Sequence, residues 1–295
     1  MDAYWIIGPG RIGLSLGSVL ADAGASDLLL VGRRERAPDH PVIDLPAVRY
    51  AGRLTGPPPD GTCLLLAVPD GAIAELAAQV ARLGPPGAGC TALHHSGAQP
   101  AALLAPLARR GYATGSLHPL QTVADPLQGA ERLRGAFYTY EGDGTARQAA
   151  ARIVAAAAGR MLEVHAEDKA RYHAACVFAS NYVVACVSVA TRLLGDAVSV
   201  GRAEAAQALQ PLWHGALANL ERPGLPRALT GPVARGDLET VRRHLESLPD
   251  GTRELYGRLA LEALELSREQ GLAEGTAAAI EAEIRSWLNG EAGPL

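Results

Sequence analysis

Lysine is almost missing from this chain. Of 27 basic side chains, Lys169 is the single lysine and the rest are arginine. A guanidinium stays protonated and forked, whereas a lysine ammonium is compact and its pKa moves on burial, as a proton donor requires. Lys169 is therefore either a chemically used exception or a solvated lysine left by chance. Cysteine is scarce too. Cys63, Cys90, Cys176 and Cys186 form no CxxC pair and lie in apolar runs. That argues against a zinc site or a disulfide framework and predicts buried small hydrophobes in a reducing compartment. A formal net charge of -4 leaves no basic footprint for nucleic acid or an anionic membrane. The first strand is expected so close to Met1 that a signal peptide has no room, so the cytoplasm is the expected compartment. One stretch, 174–194, raises a membrane question. It carries Ser180, Asn181, Tyr182 and Arg192 and reads as a buried helix, not a span.

What is present suffices for two domains. The 295 residues are 48% hydrophobic and 20% charged, enough to bury a sizeable core. Apolar runs at 4–7, 28–31, 63–68, 90–94, 112–117, 136–140 and 160–164 read as strands. Helical patterns at 14–23, 73–83, 101–109 and 147–158 fall between them. Strands alternating with helices predict an α/β domain with a mainly parallel sheet covered on both faces. From about residue 167 the pattern is helical throughout, with main pieces at 167–194, 202–219, 238–247 and 252–269. The expected organisation is a Rossmann domain over 1–165 and an all-helical domain over 166–295.

Gly8-Pro9-Gly10-Arg11-Ile12-Gly13 directly follows the first strand and opens the first helix, the context in which GxGxxG signals dinucleotide binding. Gly8 permits the turn, Gly10 lets backbone approach a pyrophosphate, and Gly13 lets helix and strand pack closely. The free N–H groups of the helix N-terminus hold the phosphates. After the second strand, an NAD site would carry an acid. Here the chain reads Gly32-Arg33-Arg34-Glu35-Arg36. Guanidinium groups hold a 2′-phosphate that a carboxylate would repel, so Arg33 and Arg34 predict NADP(H), against the alternative of a solvated basic loop.

Further strands end in residues that face the same crevice, because ligands of open α/β sheets bind at the carboxyl ends of strands. Val68 and Pro69 are expected against the cofactor, and Asp70 is expected to cap the following helix. His94-His95-Ser96-Gly97 and Ser116-Leu117-His118-Pro119 end two more strands. Adjacent histidines on a strand point apart and do not jointly hold a metal. Ser96 and His118 are candidates for substrate contact, and hydrogen-bonded histidines at strand ends are the alternative. Lys169 opens the first helix of the second domain, with His173, Cys176 and Ser180 on one face and Asn181 further round. In Leu229-Thr230-Gly231-Pro232-Val233-Ala234-Arg235-Gly236-Asp237, Asp237 is expected to cap the next helix. Thr230 and Arg235 are alternatives for a substrate carboxylate.

These segments, with Gly115 to Gln121 and Ala179 to Tyr182, resemble a bacterial family described as a Rossmann-like domain followed by a DUF2520 domain. The layout is more distantly similar to the 6-phosphogluconate dehydrogenase-like C-terminal superfamily, with its ketopantoate and pyrroline-5-carboxylate reductases, 3-hydroxyisobutyrate dehydrogenases and prephenate dehydrogenases. In several of these a lysine and an asparagine of the first interdomain helix contact substrate. The resemblance places those roles on Lys169 and Asn181, at a longer spacing than in the hydroxyacid dehydrogenases. Genes of the family often lie beside pantothenate-pathway enzymes, which implies a 2-oxo acid such as ketopantoate. The expected activity is NADP(H)-dependent reduction of a small carbonyl, with Lys169, Asn181, Ser96 and His118 at the substrate. The alternatives are a non-catalytic NADP(H) sensor or partner-binding protein, a cyclic-imine reductase, or a deazaflavin-linked reductase. The apolar helix after residue 174 predicts a homodimer through the second domain.

Overall fold

A computed structural model describes residues 3–290. It forms two compact units that divide between Asn181 and Tyr182, beyond the position expected near residue 165. In the first unit the strands are β1 (Ala3–Ile7), β2 (Asp27–Val31), β3 (Val48–Ala51), β4 (Cys63–Leu66), β5 (Thr91–His94), β6 (Ala113–Pro119), β7 (Phe137–Gly142) and β8 (Arg160–Glu163). They form one sheet in the order β3-β2-β1-β4-β5-β6-β7-β8. Every neighbouring pair is parallel except β6 and β7.

Residues alternate faces along a strand, and here both faces are apolar. Tyr4, Ile6, Leu28, Leu30, Cys63 and Leu65 point to one side. There they meet α1 (Arg11–Asp22) and α5 (Gly144–Ala156), with Leu16, Leu20, Ala149 and Ile153 fully or nearly fully buried. Ile7, Leu29, Val31, Leu64 and Leu66 point to the other, onto α2 (Ile73–Ala81) and α3 (Ala105–Ala108). Each fully buried Leu or Ile contributes about 1.5–3 kcal/mol. α4 (Pro126–Leu133) crosses α1 so closely that a Cβ on Gly129 would meet Ser15 Oγ.

β3 does not stand out in the sequence. It is a short edge strand, and only Val48 of its four residues is buried. The helix expected over 167–194 is broken: α6 (Lys169–Ala179) stops and α7 (Asn181–Val198) starts around Ser180, whose φ and ψ of -130° and -72° are not helical. Ser180 Oγ instead donates to the Cys176 carbonyl at 2.6 Å. The expectation of a buried apolar helix is overturned. Lys169 is the only buried residue of α6 and Thr191 the only one of α7. The stretch Ala166–Val198 is long and apolar enough to cross a membrane. The cysteine expectation holds for Cys63 and Cys90, which are buried, but Cys176 is half-buried and Cys186 exposed.

In the second unit, α8 (Arg202–Glu221) buries only Ala205. The core lies instead among α9 (Pro232–Arg235), α10 (Leu238–Ser247), α11 (Asp250–Glu269) and α12 (Glu274–Leu288), where Val241, Leu245, Leu264, Ile280 and Ile284 interlock. Asp237 caps α10 as expected, accepting from Thr240 N at 3.1 Å. Thr230 and Arg235 are exposed.

Candidate functional site

The glycine loop is shaped by contact with β4. Gly8 has a φ of +99°, and an added Cβ would stand 2.4 Å from the Ala67 carbonyl oxygen. A Cβ on Gly13 would stand 2.1 Å from the Gly8 carbonyl oxygen. A Cβ on Gly10 would meet nothing within 4 Å. Two glycines thus close the turn and the third leaves open space. Gly10 caps α1 without a side-chain partner, so the first-turn N–H groups stay available to an anion. Arg11 is exposed, and Ile12 packs on the sheet core.

A cleft of about 1120 Å³ opens over this loop. Gly8, Pro9 and Gly10 form part of its wall, with Val68 and Pro69 from the end of β4. Beyond β2 the wall is Gly32, Arg33, Arg34 and Arg36, and Arg53 joins them from beyond β3. Glu35 is not in the wall, although Asp39 and Glu75 are. The glycine cradle, the free helix terminus and the guanidinium groups together fit a phosphorylated dinucleotide.

Beyond the carboxyl ends of β4 and β5, and beside the middle of β6, lies a polar cluster in which Ser96, Ser116 and Lys169 are buried and Asp70 is exposed. Asp70 does not cap a helix as expected, because Pro69 occupies the cap position of the 3-10 turn Asp70–Ala72. Its carboxylate accepts from Ser96 Oγ at 2.7 Å, and Ser96 Oγ in turn accepts from Gln99 N at 3.0 Å. Lys169 is 1% exposed. Its ammonium donates to Ser116 Oγ at 2.7 Å and to the Ser96 carbonyl at 3.2 Å. Burial pushes the Lys169 pKa down, against the opposing pull of Glu141 and Asp70.

The histidines divide into two kinds. His94 Nδ1 accepts from Ser96 N at 3.2 Å while Nε2 donates to the Pro100 carbonyl at 3.1 Å, a purely structural pairing. His95 Nδ1 donates to the Leu117 carbonyl at 2.7 Å, and its buried Nε2 has no partner. His118 is half-buried and its Nδ1 lies 2.6 Å from the Tyr172 hydroxyl. A Cβ on Gly97 would meet both His118 Nε2 and His173 Cδ2, so this glycine keeps a space clear beside the two rings. Burial lowers the pKa of His94, His95 and His118 to about 4, and for His94 and His118 the nearby Lys169 ammonium adds to the shift. All three are neutral at pH 7.

Of the expected substrate residues, the fold brings Ser96, His118 and Lys169 to one end of the sheet. Asn181 is exposed, and its Oδ1 accepts from Ser180 Oγ at 3.0 Å. Lys169 turns inward to Ser116 and the Ser96 carbonyl, the Ser96 hydroxyl is engaged by the exposed Asp70 carboxylate, and neither residue lines the open cleft. Tyr50, Arg53 and Tyr172 also belong to these sites and carry no signal in the sequence, and Ser116, quoted only as part of a strand end, joins them. Arg36 was legible as part of the arginine run. Tyr50 and Ser116 gain their roles only through strand pairing. Among the described residues no group of histidine, cysteine and carboxylate side chains could hold a metal.

Residues 3–119 match the profile of a Rossmann-like domain, and residues 136–263 match that of a domain of unknown function, DUF2520. The second match takes in β7 and β8. No curated protein matches the sequence. Among solved structures, a protein of Thermotoga maritima is 21% identical with a TM-score of 0.71, over 91% of this chain and 99% of its own. A candidate NADP oxidoreductase from Bacteroides fragilis is 21% identical at 0.63, over 88% and 97%. The pyrroline carboxylate reductase of Plasmodium falciparum, solved with NADP bound, is 12% identical at 0.52, over 97% of each chain. At these identities the likeness is one of fold.

Proposed function

We propose that this chain, a Rossmann-like domain joined to a DUF2520 domain, is an NADP(H)-dependent oxidoreductase that reduces a small carbonyl substrate. The observation that carries the reading is the end of β2. Arg33, Arg34 and Arg36 line the cleft there, where an NAD site would present a carboxylate. Gly8, Gly10 and the α1 N-terminus would hold the pyrophosphate, the arginines the 2′-phosphate, and Val68 and Pro69 the inner part of the cofactor. Bound, such a cofactor supplies a hydride. Two structural neighbours, a candidate NADP oxidoreductase and a pyrroline carboxylate reductase solved with NADP bound, agree with this.

The chain's own contribution is position and proton control. His118, neutral and bordered by the space at Gly97, is the residue we assign to the substrate oxygen. Lys169 and Ser96 then act at one remove, the ammonium through its field on His118. The resemblance to ketopantoate reductases makes 2-oxo acids the first substrates to try, with cyclic imines next. The deciding experiment is a nicotinamide fluorescence titration with NADPH and NADH, run beside an Arg33→Ala, Arg34→Ala variant. Tight NADPH binding that the variant loses supports the reading. Binding of neither cofactor overturns it.

A second reading follows from the hydrogen bonds that engage the Lys169 ammonium and the Ser96 hydroxyl within the chain, which suit a protein that binds NADP(H) without turning it over. It is favoured if NADPH binds, no 2-oxo acid or imine oxidises it, and His118→Gln changes nothing.

The exposed apolar surfaces of α7 and α8 we assign to a homodimer. Val184 and Leu212 are each 70% exposed. Patches of this kind mark association surfaces in soluble proteins. We place the protein in the cytoplasm on the same reading, with no membrane or nucleic-acid partner.

A further inference from the structure

The arginines of the cleft sit on a loop that is held from the neighbouring strand. Tyr50, on β3, donates its hydroxyl to the Arg34 carbonyl at 2.6 Å. Two glycines make room for that contact. A Cβ on Gly32 would stand 2.2 Å from the Tyr50 hydroxyl, and one on Gly52 would stand 3.0 Å from the Arg34 carbonyl oxygen. The Gly32 N–H meanwhile donates to the Ala51 carbonyl at 3.0 Å. The loop is thus pinned at Gly32 and again at Arg34.

Fixing the Arg34 carbonyl fixes the plane of the peptide between Arg34 and Glu35, since that unit is rigid. The directions in which side chains 34 and 35 leave the backbone are then set. The outcome is that Arg33, Arg34 and Arg36 border the cleft while Glu35 does not. With the pin removed, the peptide is free to turn and bring the Glu35 carboxylate toward the arginines.

We propose that Tyr50 is a positioning residue that determines the preference for NADP(H) over NAD(H), through its hydrogen bond to the Arg34 carbonyl. The inference rests on the cofactor reading above and deepens it. Tyr50→Phe keeps the ring and loses only the hydroxyl. Dissociation constants for NADPH, NADH and adenosine 2′-monophosphate are measured on the full chain, with thermal unfolding as a check on folding. The expected result is roughly five- to tenfold weaker binding of NADPH and of adenosine 2′-monophosphate, the loss of about one hydrogen bond, with NADH within about twofold. Gly32→Ala, which pushes the tyrosine off its acceptor, should reproduce the loss by a different route. Equal weakening of NADPH and NADH in both variants, or no weakening in either, overturns the role of Tyr50. A wild-type protein without preference for NADPH overturns the cofactor reading instead, and the proposal with it.

Discussion

Lys169 Nζ and Ser116 Oγ lie 2.7 Å apart, and both donate to a single acceptor, the Ser96 carbonyl. Ammonium, hydroxyl and carbonyl close a triangle that joins α6 to the middle of β6 and to the turn after β5. Removing Lys169 leaves Ser116 Oγ and the Ser96 carbonyl bonded to each other, but takes away the ammonium they share and opens a cavity where its long side chain was buried.

Lys169→Ala should therefore destabilise the fold by about 2–4 kcal/mol in denaturant unfolding. Lys169→Arg should not restore it, because a planar fork does not replace a compact ammonium. A loss below about 0.5 kcal/mol would mean the triangle carries no stability. Because burial lowers the Lys169 pKa below 10.5, the unfolded chain binds more protons between the folded value and 10.5. Stability then rises with pH across that interval, and Lys169→Met should flatten the rise.

Acid should unfold the protein through its histidines. Burial holds the pKa of His94, His95 and His118 near 4 in the fold, against 6.5 for an ordinary histidine, so between these limits the folded chain binds fewer protons. Stability is full above pH 6.5 and falls as the pH drops toward 4, by about 3 kcal/mol for each such group. Unfolding midpoints measured at intervals from pH 7 to 4 test this. His95→Gln should make the fall shallower, and an unchanged slope would sink the assignment to that residue.

The glycine loop offers a contrast between two alanines. Gly13→Ala drives a methyl against the Gly8 carbonyl and should cost at least about 2 kcal/mol of stability. Gly10→Ala meets open space and should leave the thermal midpoint within a few degrees, yet weaken NADPH about tenfold or more by filling the phosphate approach. If Gly10→Ala binds NADPH like wild type, the pyrophosphate does not lie there.

Salt should separate the two nicotinamide cofactors. On the proposed reading a 2′-phosphate would face Arg33, Arg34 and Arg36, so NADPH affinity should fall more steeply with ionic strength than NADH affinity. Parallel salt dependences in a fluorescence titration would count against an arginine-held phosphate.

Val184→Asp combined with Leu212→Asp should shift the protein from dimer to monomer in light scattering. A wild-type chain that already runs as a monomer would remove the homodimer proposal.

How far the sequence revealed this architecture depends on where each residue's partner lies. The Gly8 to Gly13 motif could be read directly, since its strand, turn and helix are adjacent in the chain. β1, β2 and β4 were equally legible, because they are buried on both faces and form unbroken apolar runs. β3 was not, being an edge strand with Arg49 and Tyr50 in it. Asp70 looked like a helix cap because local rules favour that role, whereas its partner Ser96 is 26 residues away. Lys169 stood out by rarity alone. That it faces Ser116 and Ser96 inside the protein follows only from the pairing of β5 with β6. The apolar character of 174–194 was plain, but apolarity does not tell burial within one chain from a surface left for another.

The reliance of the Gly8 turn on Ala67 also sets an order of events during synthesis. β1 is made first but lies in the sheet between β2 and β4, and its Ile7 carbonyl waits for the Ala67 N–H, 2.8 Å away in the finished fold. Before residue 67 is made, Gly8 has its N–H bond to the Val31 carbonyl at 2.9 Å but not the strand whose Ala67 carbonyl crowds its other side. A nascent chain shorter than that carries the whole glycine motif without the β4 neighbour that packs against it. The glycine motif ends at residue 13, and the strand that packs against it comes some fifty residues later.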